Sequence, residues 1–216
     1  MSSQQRQIAQ GIQTIKDISP NFARVISNSP KFDLRPTIDL TEATAFESLA
    51  HSVFSQQIST SAAKSISTKV SKAFRGSITP RKIAKSDVET LRSLGLSNAK
   101  ARTIRELAEA VLSKTLELGK LSEMQDAEIV EQLVQVWGIG RWTAEMFLMF
   151  DLGRLDVWPA GDFGVRKGWQ LIHQDDEMHA QKQFEYLGES FRPYRSIAAW
   201  YCWRAVDLSR STGNAD

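Results

Sequence analysis

The chain has 216 residues, 27 Lys and Arg against 25 Asp and Glu, 42% hydrophobic residues and a single cysteine. That length supports one domain, or two lobes sharing a core, and the composition excludes wholesale disorder. No run approaches the roughly eighteen apolar residues of a membrane span, and the N-terminus carries no secretion signal, so a soluble, non-secreted protein is expected. Cys202 alone cannot form a disulfide, a zinc site or an iron–sulfur cluster. The net charge of +2 hides an uneven distribution. Lys64 to Arg105 holds eleven basic residues against Asp87 and Glu89, whereas Glu106 to Glu131 holds seven acids against Lys114 and Lys120. Such a sided chain could turn a basic face to a polyanion, or simply solvate its helices.

Helical periodicity dominates. Ile8, Ile12, Ile15 and Ile18 mark a first helix that ends at Ser19-Pro20, and Ser27 to Pro36 reads as loop. Thr41 is placed to cap a helix to about Ser55, with Ala45, Leu49 and Val53 on its apolar face. Ser59 or Thr60 starts the next, with Ile66, Val70 and Phe74 inward. Ser86-Asp87-Val88-Glu89 reads as a capping box for a short helix ended by Gly95. Ser97 opens a longer helix to about Leu118, carrying Ile104, Leu107, Val111 and Leu112. Asp126 is expected to cap a helix with Ile129, Leu133 and Val136, and Arg141 to begin another through Phe150. A loop from Asp151 to Gly161 leads into a helix near Asp162, followed by helices over about 177–187 and 193–208. No strand pattern or internal repeat is present, so the fold is expected to be all-α.

Two local features carry chemistry. In Val136-Trp137-Gly138-Ile139-Gly140-Arg141-Trp142-Thr143-Ala144, two glycines flank one apolar residue and run directly into a helix. A tight hairpin of this kind can present backbone N–H groups to a phosphate, although an ordinary interhelical turn has the same glycines. Ile139 would plug the hairpin. In Asp156-Val157-Trp158-Pro159-Ala160-Gly161-Asp162-Phe163, a carboxylate follows a Pro/Gly loop at a helix start, where a simple N-cap is also expected.

Together these motifs resemble the helix-hairpin-helix DNA glycosylase superfamily, in which a Gly/Pro-rich loop and an aspartate follow the hairpin. The alkylpurine (3-methyladenine) DNA glycosylase II branch is more similar still. That match includes Ser55-Gln56-Gln57-Ile58-Ser59, Gly140-Arg141-Trp142-Thr143-Ala144, Asp156-Val157-Trp158-Pro159 and Pro193-Tyr194-Arg195-Ser196-Ile197-Ala198-Ala199-Trp200, and the resemblance spans about residues 42–208. It implies a two-lobed helical bundle forming one glycosylase domain over residues 1–216. One lobe would hold about 42–150, with the hairpin at 126–150, and the other about 1–41 plus 151–216. About forty residues before Thr41 are too few for the α/β domain that longer bacterial relatives add.

The resemblance also assigns roles. Asp162 would stabilise positive charge on the deoxyribose and orient the attacking water. Trp142, Met146, Phe163 and Trp203 would line the pocket for a flipped base, and an aromatic face there would attract a cationic alkylated purine. Trp158 and Trp200 read as core, and His51, His173 and His179 as surface or packing residues. Gln56, Gln57 and Ile58 would meet the DNA, with Gln57 as the wedge that fills the vacated stack. Gly138, Gly140, Arg141 and Thr143 would bind the DNA backbone. The carbonyls of Val134, Val136 and Ile139 would hold a structural Na⁺ or K⁺; no other cofactor is implied. Bifunctional members carry a lysine where this chain has Trp142, so a monofunctional enzyme that leaves an abasic site is expected. The expected partner is double-stranded DNA containing alkylated bases, met by a monomer, in a bacterial nucleoid or a eukaryotic nucleus. The alternative is a lesion-binding hairpin protein with lost or narrowed catalysis.

Overall fold

The computed structural model describes residues 3–32 and 40–213, and these form helices and turns with no strand among them. The fold is all-α. Contacts divide the chain into two compact units, one of Met1–Leu34 with Gly153–Asp216 and the other of Arg35–Leu152. The first unit opens with α1 (Ser3–Ile18) and α2 (Pro20–Ser27). The second holds α3 (Glu42–Ser55), α4 (Thr60–Ala73), α5 (Pro80–Ala84), α6 (Val88–Ser93), α7 (Asn98–Leu112), α8 (Asp126–Val134) and α9 (Arg141–Met146). The chain then returns to the first unit with α10 (Phe163–His173), α11 (Gln181–Leu187) and α12 (Arg195–Gly213).

In the first unit, α1 stops where expected, but a second helix follows at once. Pro20 takes the first helical position of α2, and the Ser19 hydroxyl accepts the Phe22 amide at 3.4 Å. The loop therefore starts only after Ser27, and its Pro36 end lies outside the described residues. Phe22 buries against Trp169 and Phe191, with ring centroids 5.9 and 5.1 Å away. Trp158 stacks on Phe184 at 4.9 Å, and its indole N–H donates to the Phe184 carbonyl at 2.9 Å, so this tryptophan is core. Helices α10 and α12 cross closely because Gly164 and Gly168 lie one turn apart at the contact. A Cβ on Gly168 would overlap the backbone carbonyl of Cys202.

In the second unit, Thr41 caps α3 through the Thr44 amide at 3.2 Å, and Ala45, Leu49 and Val53 are fully buried. Ser59 caps α4, where Val70 is buried and Ile66 and Phe74 are only half-buried. Several boundaries differ from expectation. Asp87 alone caps α6, accepting from the Thr90 amide at 2.6 Å, because helix formation starts one residue later than the Ser86 box requires. Helix α7 ends at Leu112, which is 44% exposed, and a 3₁₀ turn covers Leu118–Glu123. Gln125, not Asp126, caps α8, with the Glu128 carboxylate accepting the Gln125 amide at 2.8 Å. The helix expected to run from Arg141 to Phe150 widens after Met146, where the Leu152 amide reaches five residues back to the Phe147 carbonyl at 3.1 Å.

Candidate active site and nucleic-acid interface

Asp162 lies at the mouth of the Pro/Gly loop in the first unit. The loop turns tightly, with Ala160 N–H on the Trp158 carbonyl and Asp162 N–H on the Pro159 carbonyl, both at 2.9 Å. It is anchored to the start of α12. The fully buried Ser196 hydroxyl donates to the Arg154 carbonyl at 2.7 Å and accepts the Val157 amide at 2.9 Å. Asp156 receives Arg195 at 2.7 Å and Arg192 at 2.9 Å, and Glu189 completes this cluster. Arg192 holds the exposed Glu189 carboxyl below its ordinary range by hydrogen bonding and charge.

At the end of that anchored loop, Asp162 is both helix cap and half-exposed carboxylate. Its Oδ1 accepts the Val165 amide at 2.8 Å and the Trp203 indole N–H at 2.9 Å. Two donors on one oxygen fix the carboxylate's direction at the positive end of α10. The indole reaches it because Gly164 has no side chain: a Cβ there would lie 2.8 Å from Trp203 Cδ1 and 3.1 Å from Asp162 Oδ1. Cys202 is fully buried next to Trp203 in sequence, and burial, with the Asp162 charge second, pushes its thiol well above the ordinary range. Phe163 follows Asp162 and is 64% exposed. Of the residues expected around the carboxylate, Trp203 is in hydrogen-bonding contact. Trp200 instead packs edge-on against Phe32 at 5.4 Å, with the Arg204 guanidinium over its ring.

The hairpin of the second unit links α8 to α9. Gly138 has φ +84°, and a Cβ there would overlap the Thr103 hydroxyl of α7, so this position needs glycine twice over. The Ile139 amide closes the turn on the Val136 carbonyl at 3.0 Å, and the Ile139 side chain is buried as its plug. Gly138 and Gly140 are both exposed, and Gly140 directly precedes α9. The backbone can therefore face an anion at a helix start. Arg141 is exposed, with its Nε on the buried Glu145 at 2.9 Å. Thr143, expected to meet DNA, is instead buried, and its hydroxyl oxygen accepts the Gln56 side-chain amide at 3.2 Å. Its side chain thus braces the hairpin from inside.

Val134 is the last residue of α8, where carbonyls run out of intrahelical donors. Of the other two carbonyls expected to hold a cation, that of Val136 already accepts the Ile139 amide at 3.0 Å. Among the described residues, no group of three or more His, Cys, Asp or Glu side chains is arranged to hold a metal. No helix among them is long and apolar enough to cross a membrane.

Trp142 and Met146 share a cavity of about 320 Å³ in the second unit. Its other walls are Phe150, Gln56, Thr143 and a polar rim of Ser48, His51, Ser52, Ser55 and Asp151. That rim was not anticipated, because α3 shows its polar face to any solvent-seeking pattern and nothing in the sequence marks it as cavity wall. His51 bonds Ser67 at 3.1 Å, and Ser48 donates to Asp151 at 2.6 Å. His173 stacks on Trp169 at 4.1 Å, a packing role, and His179 bonds Asp175 at 3.1 Å on a partly exposed surface. Gln57 and Ile58 are exposed on the loop after α3, and Gln57 takes the left-handed conformation at φ +54°.

The basic block divides in two. Lys82 and Lys100 hold backbone carbonyls at helix ends, whereas Arg92, Arg102 and Arg105 pair with acids on their own helices. Lys64, Lys69, Lys72, Arg75, Arg81 and Lys85 are exposed.

Comparisons agree with this geometry. The model of the HhH-GPD superfamily of base excision DNA repair proteins matches residues 50–193. DNA-3-methyladenine glycosylase 1 of Schizosaccharomyces pombe is 34% identical over 92% of this chain and 87% of that protein. The structure of the Schizosaccharomyces pombe 3-methyladenine DNA glycosylase in complex with abasic DNA superposes with a TM-score of 0.80 at 30% identity, over 93% of this chain and 98% of that one. A DNA-3-methyladenine glycosidase from Bacillus halodurans superposes with a TM-score of 0.82 at 31% identity, over 93% and 91% of the two chains. With an anchored aspartate after the Gly/Pro loop, a two-glycine hairpin and matches along nearly its whole length, the chain belongs to the HhH-GPD superfamily of base excision DNA repair proteins.

Proposed function

We infer that the protein is a monofunctional DNA glycosylase of base excision repair that excises alkylated purines of the 3-methyladenine type. The observation that carries this reading is Asp162, held by the Val165 amide and the Trp203 indole at the head of α10. The names and extent of its relatives support the reading.

Cleavage of the N-glycosidic bond builds positive charge on the deoxyribose, and a fixed carboxylate lowers that barrier. Asp162 stabilises this charge and orients the attacking water. A purine alkylated on a ring nitrogen is already cationic and leaves without strong protonation, so no histidine is needed as general acid. Trp142 and Met146 receive the flipped base. Trp142 stands where bifunctional members have a lysine, so no Schiff base forms and the product is an abasic site. The amides of Gly138 and Gly140 grip the DNA backbone, Arg141 adds charge, and Gln57 enters the vacated stack with Ile58 beside it. The carbonyls of Val134, Val136 and Ile139 would hold a monovalent cation, which when bound supplies positive charge for a phosphate. The protein acts on duplex DNA as a monomer.

Replacing Asp162 by Asn tests this directly. Base release should fall by roughly 10²-fold or more while duplex binding persists. Wild-type release by Asp162→Asn would remove the carboxylate from the mechanism.

A further inference from the structure

The loop that carries Gln57 is tied to the hairpin by two hydrogen bonds from Gln56, and both flank α7 within the second unit. Gln56 ends α3, and its side-chain amide donates to the Gly138 carbonyl at 3.4 Å and to the Thr143 hydroxyl at 3.2 Å. One residue reaches 82 positions along the chain to the turn that presents the backbone amides. On the other flank, Lys100 of α7 donates to the Phe54 carbonyl at 2.8 Å, holding the last turn of α3. Three residues further along α7, Thr103 packs on Gly138 where no Cβ fits. The hairpin, the loop after α3 and α7 therefore close a triangle, and Gln56 is the side that joins loop to hairpin without an intermediary.

Gln57 gives that closure a purpose. It is an exposed non-glycine residue in left-handed conformation, a shape that costs free energy and persists only where its neighbours enforce it. Arg75, Lys114 and Gln174 take the same conformation after their helices; what sets Gln57 apart is that the residue directly before it is pinned to the hairpin.

Resting on the glycosylase reading above, we propose that Gln56 is a positioning residue that sets Gln57 in register with the hairpin. Gripping the phosphate and filling the vacated stack then become a single rigid-body event. Gln56, which also forms part of the cavity wall, is not placed on the reacting atoms in this scheme. It acts through Gln57, and Thr143 is the buried acceptor that keeps its amide aimed.

The test uses Gln56→Leu, which keeps bulk and removes both donated bonds, and Thr143→Val, which removes one acceptor at constant shape. Each is measured with Gln57→Ala and with the Gln56→Leu, Gln57→Ala double variant. The readout is the preference for a duplex containing a tetrahydrofuran abasic analogue over the same undamaged duplex, with thermal melting as a control for folding. Gln56→Leu should lower that preference about tenfold and Thr143→Val by less. Because Gln56 acts through Gln57, the double variant should lose no more than Gln57→Ala alone. The inference is overturned if both Gln56→Leu and Thr143→Val keep the wild-type preference, or if the losses at Gln56 and Gln57 simply add. Failure of the underlying reading shows separately, as a wild-type protein that releases no methylpurine from methylated duplex DNA.

Discussion

Asp162 joins two donors from different helices. Trp203 lies 41 positions away and Val165 is three positions on, yet both donate to one carboxylate oxygen. The Pro/Gly loop, the aspartate and the tryptophans were legible in the sequence as motifs. The N-cap bond to Val165 was legible as well; the Trp203 bond was not, because a hydrogen bond between two helices depends on how those helices cross. The same holds for Thr143, whose motif position suggested DNA contact and whose burial makes it a brace. Cys202 offers a test at this scale. Its thiol stays protonated in the fold because burial and the Asp162 charge both disfavour the thiolate. In the unfolded chain it ionises near the ordinary value of about 8.5. Above that pH the unfolded state releases a proton that the native state keeps, so stability is intact below it and declines as pH rises through it. Titration with a thiol reagent at pH 8 should therefore find Cys202 inert until urea unfolds the protein. Rapid labelling of the folded protein would contradict the burial.

Among the elements, the close crossing of α10 and α12 sets the carboxylate in place. Gly164 faces the Trp203 side chain, whereas Gly168 faces the backbone carbonyl of Cys202. A side chain can swing aside and a helix backbone cannot. Gly164→Ala should cost about 1–3 kcal/mol and reduce base release by displacing the indole from Asp162. Gly168→Ala should cost more in stability, and urea unfolding of the two variants checks the order. Equal stability of both would refute the close crossing. Most helices were legible from apolar spacing and capping residues, including α3, α4 and α7. Helix α2 was not, because its Pro20 reads as the end of one helix and serves as the first residue of the next. The widened turn after Met146 escaped notice because the apolar pattern continues unbroken through Phe150 while the backbone bonding shifts by one residue.

For the whole molecule, the sequence suggested a basic face, and the structure divides the basic residues by task. Those of the Lys64–Arg105 block at helix ends and in helix-surface pairs stabilise the fold, and Lys64, Lys69, Lys72, Arg75, Arg81 and Lys85 are left facing solvent or a polyanion. Duplex affinity should therefore fall steeply with salt, with a logarithmic slope of about −0.9 for each phosphate neutralised. A flat profile across the same salt range would exclude backbone contact as the source of binding. The most direct measurement is base release from methylated duplex DNA, with the product duplex then divided between neutral and alkaline treatment. Free methylpurine, with strand breaks only after alkali, is the expected result for a monofunctional glycosylase. Breaks at neutral pH, or tight binding with no released base, would contradict it.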